Sequence, residues 1–106
     1  MSVPVPPTVA AYAVKLCGCS RPTDIRASQY IKDYVAWGAG PRGSQNLVRA
    51  AKAKALLDGR SAPTIQDLRA LAVSILRHRI LPNHRAIGDG VIADAIVKQL
   101  LETVHE

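Results

Sequence analysis

At 106 residues the chain has room for one domain and one modest core. Apolar residues make up 48% of it, yet phenylalanine is absent and aromatics reach only 4%, a mix that suits packed helices better than sheets. The formal net charge of +6 is concentrated between Arg42 and Arg85, where nine basic residues meet only Asp58 and Asp67, so that stretch either faces an anionic partner or is a solvated basic face.

The opening is extended, because three prolines in the first seven residues forbid a helix. Thr8 then offers an N-cap, and Val9, Tyr12, Ala13 and Leu16 fall at the spacing of one helical face, with Gly18 as the stop. Residues 19–27 read as a loop. Residues 28–37 predict a short helix capped by Ser28, although Tyr30, Ile31, Tyr34, Val35 and Trp37 are strand-prone and a strand stays open. Tyr12, Tyr34 and Trp37 read as packing residues.

Gly38-Ala39-Gly40-Pro41 breaks the chain, and a strong helix follows from Pro41 to Leu57, with Gly59 as its left-handed end. In the next helix Thr64 and Asp67 form a variant capping box. Ile65, Leu68, Leu71, Ala72, Ile75 and Leu76 make its apolar stripe, and it ends near Arg77-His78. Leu81-Pro82-Asn83 is a turn. A last helix spans residues 91–104, capped by Asp89, with Ile92, Ala93, Ile96, Val97, Leu100 and Val104 inward. The expected fold is an all-α bundle of four or five helices.

Self-contained catalysis finds no support. His78, His84 and His105 lack ligand spacing, and no acid sits on an apolar stretch that would tune it for proton transfer. There is no phosphate loop of the G-x-x-x-x-G-K-[ST] kind. Cys17 and Cys19 form C-x-C without a second pair for zinc and sit too close for a relaxed disulfide, so free thiols in a reducing cytoplasm are expected. No apolar run is long enough to span a bilayer, and no secretory leader is apparent.

One residue is electrostatically misplaced. Arg42 falls at the start of the third helix, where the backbone already presents about half a positive charge. A cation there costs about 0.3–1 kcal/mol unless an anion is held between guanidinium and exposed amides. The alternatives are that Arg42 points into water or pairs with an acid such as Asp33. Arg77-His78-Arg79 is accounted for as cations at a helix C-terminus.

The segment Gly38-Ala39-Gly40-Pro41-Arg42-Gly43-Ser44, with the run from Leu47 to Arg60, resembles the GASPRA…LLRAAKALALLxGR signature of MoxR-type AAA+ lid domains. Thr64-x-x-Asp67-Leu68 and Val73-x-x-Leu76-Arg77-His78-Arg79-Ile80 resemble the stretch that follows it in that family. Tyr12…Cys19-Ser20-Arg21 and Ile96-Val97-x-x-Leu100-Leu101-x-x-Val104 are similar to its opening and closing helices. The resemblance implies a C-terminal lid over residues 8–106, with residues 1–7 a linker and Met1-Ser2 an added start.

It further implies that the lid closes over ATP bound to a separate core domain, which also holds Mg2+. In this role Arg42 is the sensor 2 arginine and acts catalytically on the γ-phosphate, with Gly40, Pro41 and Arg42 at the nucleotide. The implied partners are that core domain, neighbouring subunits of a ring, commonly a hexamer, and von Willebrand factor A-domain proteins; the implied role is chaperone-like maturation of partner complexes. Two departures, Gly40 for serine and Gly43 for alanine, are expected to loosen the loop.

Two other classes compete. A helical DNA-binding module would use the basic middle, but the 58–63 connection is long for a helix-turn-helix. The helix after it also shows Gln66, Asp67, Ala70 and Ser74 beside its arginines, a weak phosphate-binding set, so nucleic acid is not the expected partner. A protein–protein adaptor is the remaining alternative, since a lid is itself partly an interaction surface.

Overall fold

The computed structural model describes residues 4–105. The reading of Met1 and Ser2 as an added start lies outside the described residues. Within the 1–7 segment expected to be linker, Val5 is partly buried against the core.

Helix α1 (Pro7–Cys19) begins one residue before the expected cap. Pro7 takes the first helical position, where its missing amide costs nothing, and Thr8 lies inside the helix without capping it. Gly18 does not stop the helix. The turn closes at Ser20, whose amide donates to the Cys17 carbonyl at 3.2 Å, followed by Arg21 to Gly18 at 3.1 Å.

Residues 28–37 divide between the two readings. Helix α2 (Gln29–Tyr34) starts from Ser28, whose hydroxyl accepts the Ile31 amide, and strand β1 (Val35–Trp37) follows directly. The strand pairs antiparallel with β2 (Leu81–Pro82), Val35 opposite Pro82 and Trp37 opposite Leu81. The expected turn at Leu81-Pro82-Asn83 is therefore half of a small ribbon. Trp37, expected to pack, is 72% exposed at its tip.

Helix α3 (Pro41–Leu57) and helix α4 (Ile65–Leu76) match their predicted bounds. Gly59 is left-handed at φ 73°, and the Thr64–Asp67 capping box closes in both directions. Asp67 also receives both guanidinium nitrogens of Arg60, at 2.7 and 2.8 Å, which locks the α3–α4 connection.

A further helix, α5 (His84–Asp89), was not anticipated. Asn83 builds it: its side-chain oxygen accepts the Ala86 amide at 2.9 Å, while its amide nitrogen donates to the Asp33 carbonyl at 2.7 Å. One residue thus caps α5 and ties it to α2. Asp89, expected to cap the last helix, instead ends α5 and accepts the Tyr34 hydroxyl at 2.9 Å. Helix α6 (Ala93–Thr103) has no side-chain cap, and Ile92 at its start is 62% exposed rather than inward.

The all-α expectation holds, with two short helices and a two-stranded ribbon added to the four long helices. α3 packs against α1 and α4, and α6 against α4 and α1, around Leu16, Leu47, Leu68, Leu76, Ile96 and Leu100, all at most 1% exposed. Truncating one of these leucines to alanine costs about 2–5 kcal/mol. The far end of the bundle is closed by Arg69, whose guanidinium donates to the Tyr12 hydroxyl (2.7 Å) and the Leu101 carbonyl (2.7 Å), while Tyr12 donates to the Val104 carbonyl (2.9 Å).

Candidate functional site

The stretch that carries Arg42 is positioned from α1. Ser20 is fully buried, and its hydroxyl donates to the Cys17 carbonyl at 2.6 Å while accepting the Ala39 amide at 2.8 Å. Gly38 lies against the Ser20 backbone with no room for a side chain. The entry into α3 is therefore tied to the end of α1 on both sides of one peptide unit.

Gly40 is the N-cap of α3, extended at φ −100°, and offers no side-chain oxygen. Its carbonyl accepts the amides of Gly43 at 2.9 Å and Ser44 at 3.4 Å. Pro41 has no amide to place, and the Arg42 amide has no acceptor among the described residues. The helix start thus presents an uncapped donor, the condition under which helix N-termini bind anions.

The Arg42 side chain is exposed and forms no ion pair among the described residues. Asp33, the acid considered for it, is held instead by Gln29 at 2.9 Å and Arg85 at 3.7 Å. Arg42 is a cation at the positive end of a helix, without a counter-charge among the described residues.

Gly40 and Pro41 line a cleft of about 210 Å³ between α1 and α3, together with Arg21, Asp24 and Arg26; Arg42 is not among its walls. Asp24 and Arg26 close on each other at 2.9 and 3.0 Å, and this bonding holds the Asp24 carboxyl down to about 2. Arg21 has no such partner among the described residues and is a second free cation beside the α3 start.

The loosening expected from Gly40 and Gly43 is not what the geometry shows. Neither is left-handed; among the described residues only Gly59 and Gly90 are. A methyl on Gly43 would come within 3.0 Å of Ala39 Cβ and 3.5 Å of Cys17 Sγ, so Gly43 is a close-packing position between α1 and α3. Gly40 faces open space, where only an absent cap distinguishes it from serine.

Ser20 and Arg21 were not singled out as site residues. A serine after a helix looks like any surface serine until the chain returns to it 19 residues later. Arg77 behaves as expected of a cation at a helix end, donating to the Val73 carbonyl at 3.3 Å and pairing with Asp94 at 3.3 Å. Cys17 and Cys19 are free thiols. No group of three His, Cys, Asp or Glu that could hold a metal occurs among the described residues.

A family model described as the AAA lid domain matches residues 27–100, which include the Arg42 turn, helices α2 to α5 and most of α6. The chain belongs to the AAA lid domain family. Its relatives place it with the lids of MoxR-like AAA+ ATPases. Chaperone MoxR1 of Mycobacterium tuberculosis is 30% identical over 93 residues, covering 88% of this lid and 25% of that protein. Protein MoxR of Methylorubrum extorquens is 33% identical over 104 residues, 92% of the lid and 30% of the relative. A crystal structure from Cytophaga hutchinsonii, assigned as an ATPase, superposes with a TM-score of 0.89 at 28% identity, over 97% of the lid and 31% of that chain. The lid spans between a quarter and a third of these longer proteins. No helix among its described residues is long and apolar enough to cross a membrane.

Proposed function

We propose that this chain is the lid of a cytoplasmic ATP-hydrolysing machine, closing over nucleotide held by a core domain, with Arg42 as the residue that senses the γ-phosphate. One observation carries the reading: within the family's lid fold, Arg42 is exposed and has no counter-charge among the described residues, at a helix start without a side-chain cap. ATP supplies a terminal phosphate whose negative charge shifts as its bond to the leaving group breaks.

The chain's own contribution is to bring a fixed positive charge and an amide donor to that phosphate. The guanidinium of Arg42 can take two phosphate oxygens, and the free Arg42 amide a third, at the positive end of α3. Gly40 leaves the approach open because it carries no side chain, and Pro41 fixes the first turn. Ser20 holds the entering loop, so the angle of Arg42 follows the angle of the lid. An arginine carried this way couples nucleotide state to domain position.

Magnesium and the attacking water would be held on the core. Ring assembly, commonly as a hexamer, action with von Willebrand factor A-domain partners and the maturing of other complexes belong to this same reading; the name of the mycobacterial relative, a chaperone, supports only the last of these. The test is Arg42→Ala in the parent ATPase: hydrolysis should fall by about tenfold or more, with the lid's helical signal unchanged. Wild-type turnover in that variant overturns the assignment. The isolated 106-residue chain should show no turnover.

A further inference from the structure

The groove between α3 and α4 has no part in the γ-phosphate role. Arg49, Ala50 and Ala53 on α3 face Ile75, His78 and Arg79 across a depression of about 440 Å³. Its floor is apolar and low, because alanines at these positions leave little above the backbone. Its rims are basic, Asn46 and Ser74 add neutral polar groups, and no acid lines it.

Most acids of the fold are already engaged elsewhere. Asp24 is taken by Arg26, Asp33 by Arg85, Asp58 and Asp67 by Arg60 and Lys54, and Asp94 by Arg77; Asp89 accepts from Tyr34. Arg49 and Arg79 are exposed and have no acidic partner among the described residues. Of the described acids only Glu102 on α6 is without such a partner, and it does not line the groove, so neutralisation of these rims is left to a group from outside the described chain.

We propose that the α3–α4 groove is a docking site for an acidic, amphipathic helical segment of a partner protein. Charge complementarity argues for acid, and the apolar floor argues for a helix with an apolar stripe. A helix laid between two others buries that stripe on Ala50, Ala53 and Ile75 while its flanking carboxylates meet Arg49 and Arg79. Asn46 to Ala53 spans about 10 Å at 1.5 Å per residue, so roughly two turns of partner helix cover it and a third leaves a turn to spare. Nucleic acid is the weaker fit: no Phe, Tyr or Trp lines the groove as a stacking platform, and the apolar patch of Ala50, Ala53 and Ile75 between its arginines offers nothing to a phosphate chain. The proposal is independent of Arg42, which does not line the groove.

The probe is a fluorescent synthetic peptide of about three helical turns, leucine and alanine on one face and glutamate on the flanks, titrated with the full chain and followed by anisotropy. A second peptide of the same composition, reordered so that no apolar face forms, is the control. The expected result is saturable binding of the first peptide that weakens as salt rises from about 50 to 500 mM. Arg49→Glu and Arg79→Glu should each weaken it roughly fivefold or more, while Lys98→Glu on α6 leaves it unchanged. Circular dichroism verifies that each variant is folded. Absence of binding, equal affinity for the reordered peptide, or equal loss in Lys98→Glu overturns the proposal. Tighter binding of a duplex DNA oligonucleotide through the same two arginines overturns it as well and gives the groove to nucleic acid.

Discussion

A Cβ placed on Gly38 would stand 2.4 Å from the Ser20 carbonyl oxygen and 2.7 Å from the Arg21 Cα, so two backbone segments meet there without a side chain between them. The obstacle is main chain and cannot rotate away. Gly38→Ala should therefore push the 38–40 loop off α1, strain the Ala39–Ser20 hydrogen bond and cost about 1–3 kcal/mol. For a domain of this size that lowers the melting temperature by about 4–8 °C for each kcal/mol. Thermal denaturation by circular dichroism checks it, and an unchanged midpoint would show that the contact is not as close as described.

Arg42→Glu is expected to act in the opposite direction on stability. The wild-type cation sits at the positive end of α3, exposed and unpaired among the described residues, so reversing its charge turns a dipole penalty into a gain of about 0.3–1 kcal/mol. Chemical denaturation of the isolated chain at low salt should show a higher midpoint with the same slope. A lower midpoint would mean that Arg42 has a stabilising partner. In the parent ATPase the same substitution should reduce hydrolysis at least as much as alanine.

Asp67 predicts the acid limb of the stability curve. Its side chain is 5% exposed, and the Arg60 guanidinium hydrogen-bonded to it holds the carboxyl well below the usual carboxylate range. Because the folded value is depressed, the unfolded chain binds the proton first. The stabilisation is complete above the unfolded value of about 4 and is lost as pH falls below it. Asp67→Asn should flatten that limb and lower stability near neutrality by about 1.5–3 kcal/mol, with a residual slope from Asp24 and Asp58, whose carboxyls are also lowered by arginine partners. Urea midpoints measured across the acid range test this, and an unaltered slope in the variant would refute it.

The Tyr12–Arg69 pair should behave as a unit. Tyr12→Phe removes a hydroxyl that donates to Val104 and accepts from Arg69, and Arg69→Met removes the donors to Tyr12, Leu101 and Val104. Each single change should cost about 0.5–1.5 kcal/mol or more. The double variant should cost less than the sum, since both disturb the same end of α6. Additive losses in a double-mutant cycle would show that the two act separately.

Much of the bundle was legible from local chemistry. Thr64 with Asp67, Pro41 at a first turn and Gly59 beyond a last one are signals within a few residues, and α3 and α4 fall where these signals put them. What escaped depends on partners distant in sequence. The ribbon exists because Val35 and Trp37 meet Pro82 and Leu81, and a three-residue strand has no period to read. Helix α5 is too short for periodicity; only Asn83 before it and left-handed Gly90 after it mark it. Asp89 was misassigned because an acid before a helix and an acid ending the previous one look the same. At the candidate site, the exposed cation that Arg42 brings to the α3 start and the Gly40-Pro41 entry to that helix were legible, the first through its conflict with the helix dipole and the second through the motif, whereas the Ser20 anchor was not, since it appears only when Ala39 arrives beside it.

Gly43 and Cys17 give the seam between α1 and α3 a chemical reporter of its own. The Cys17 sulfur lies 3.5 Å from where a Gly43 side chain would begin; the residue is buried, and burial pushes its thiol up to about 11. In the closed seam it is both inaccessible and protonated, the two conditions that suppress alkylation. Cys17 becomes reactive only when the seam separates, so its labelling rate counts openings of the joint between α1 and the start of α3 that carries Arg42.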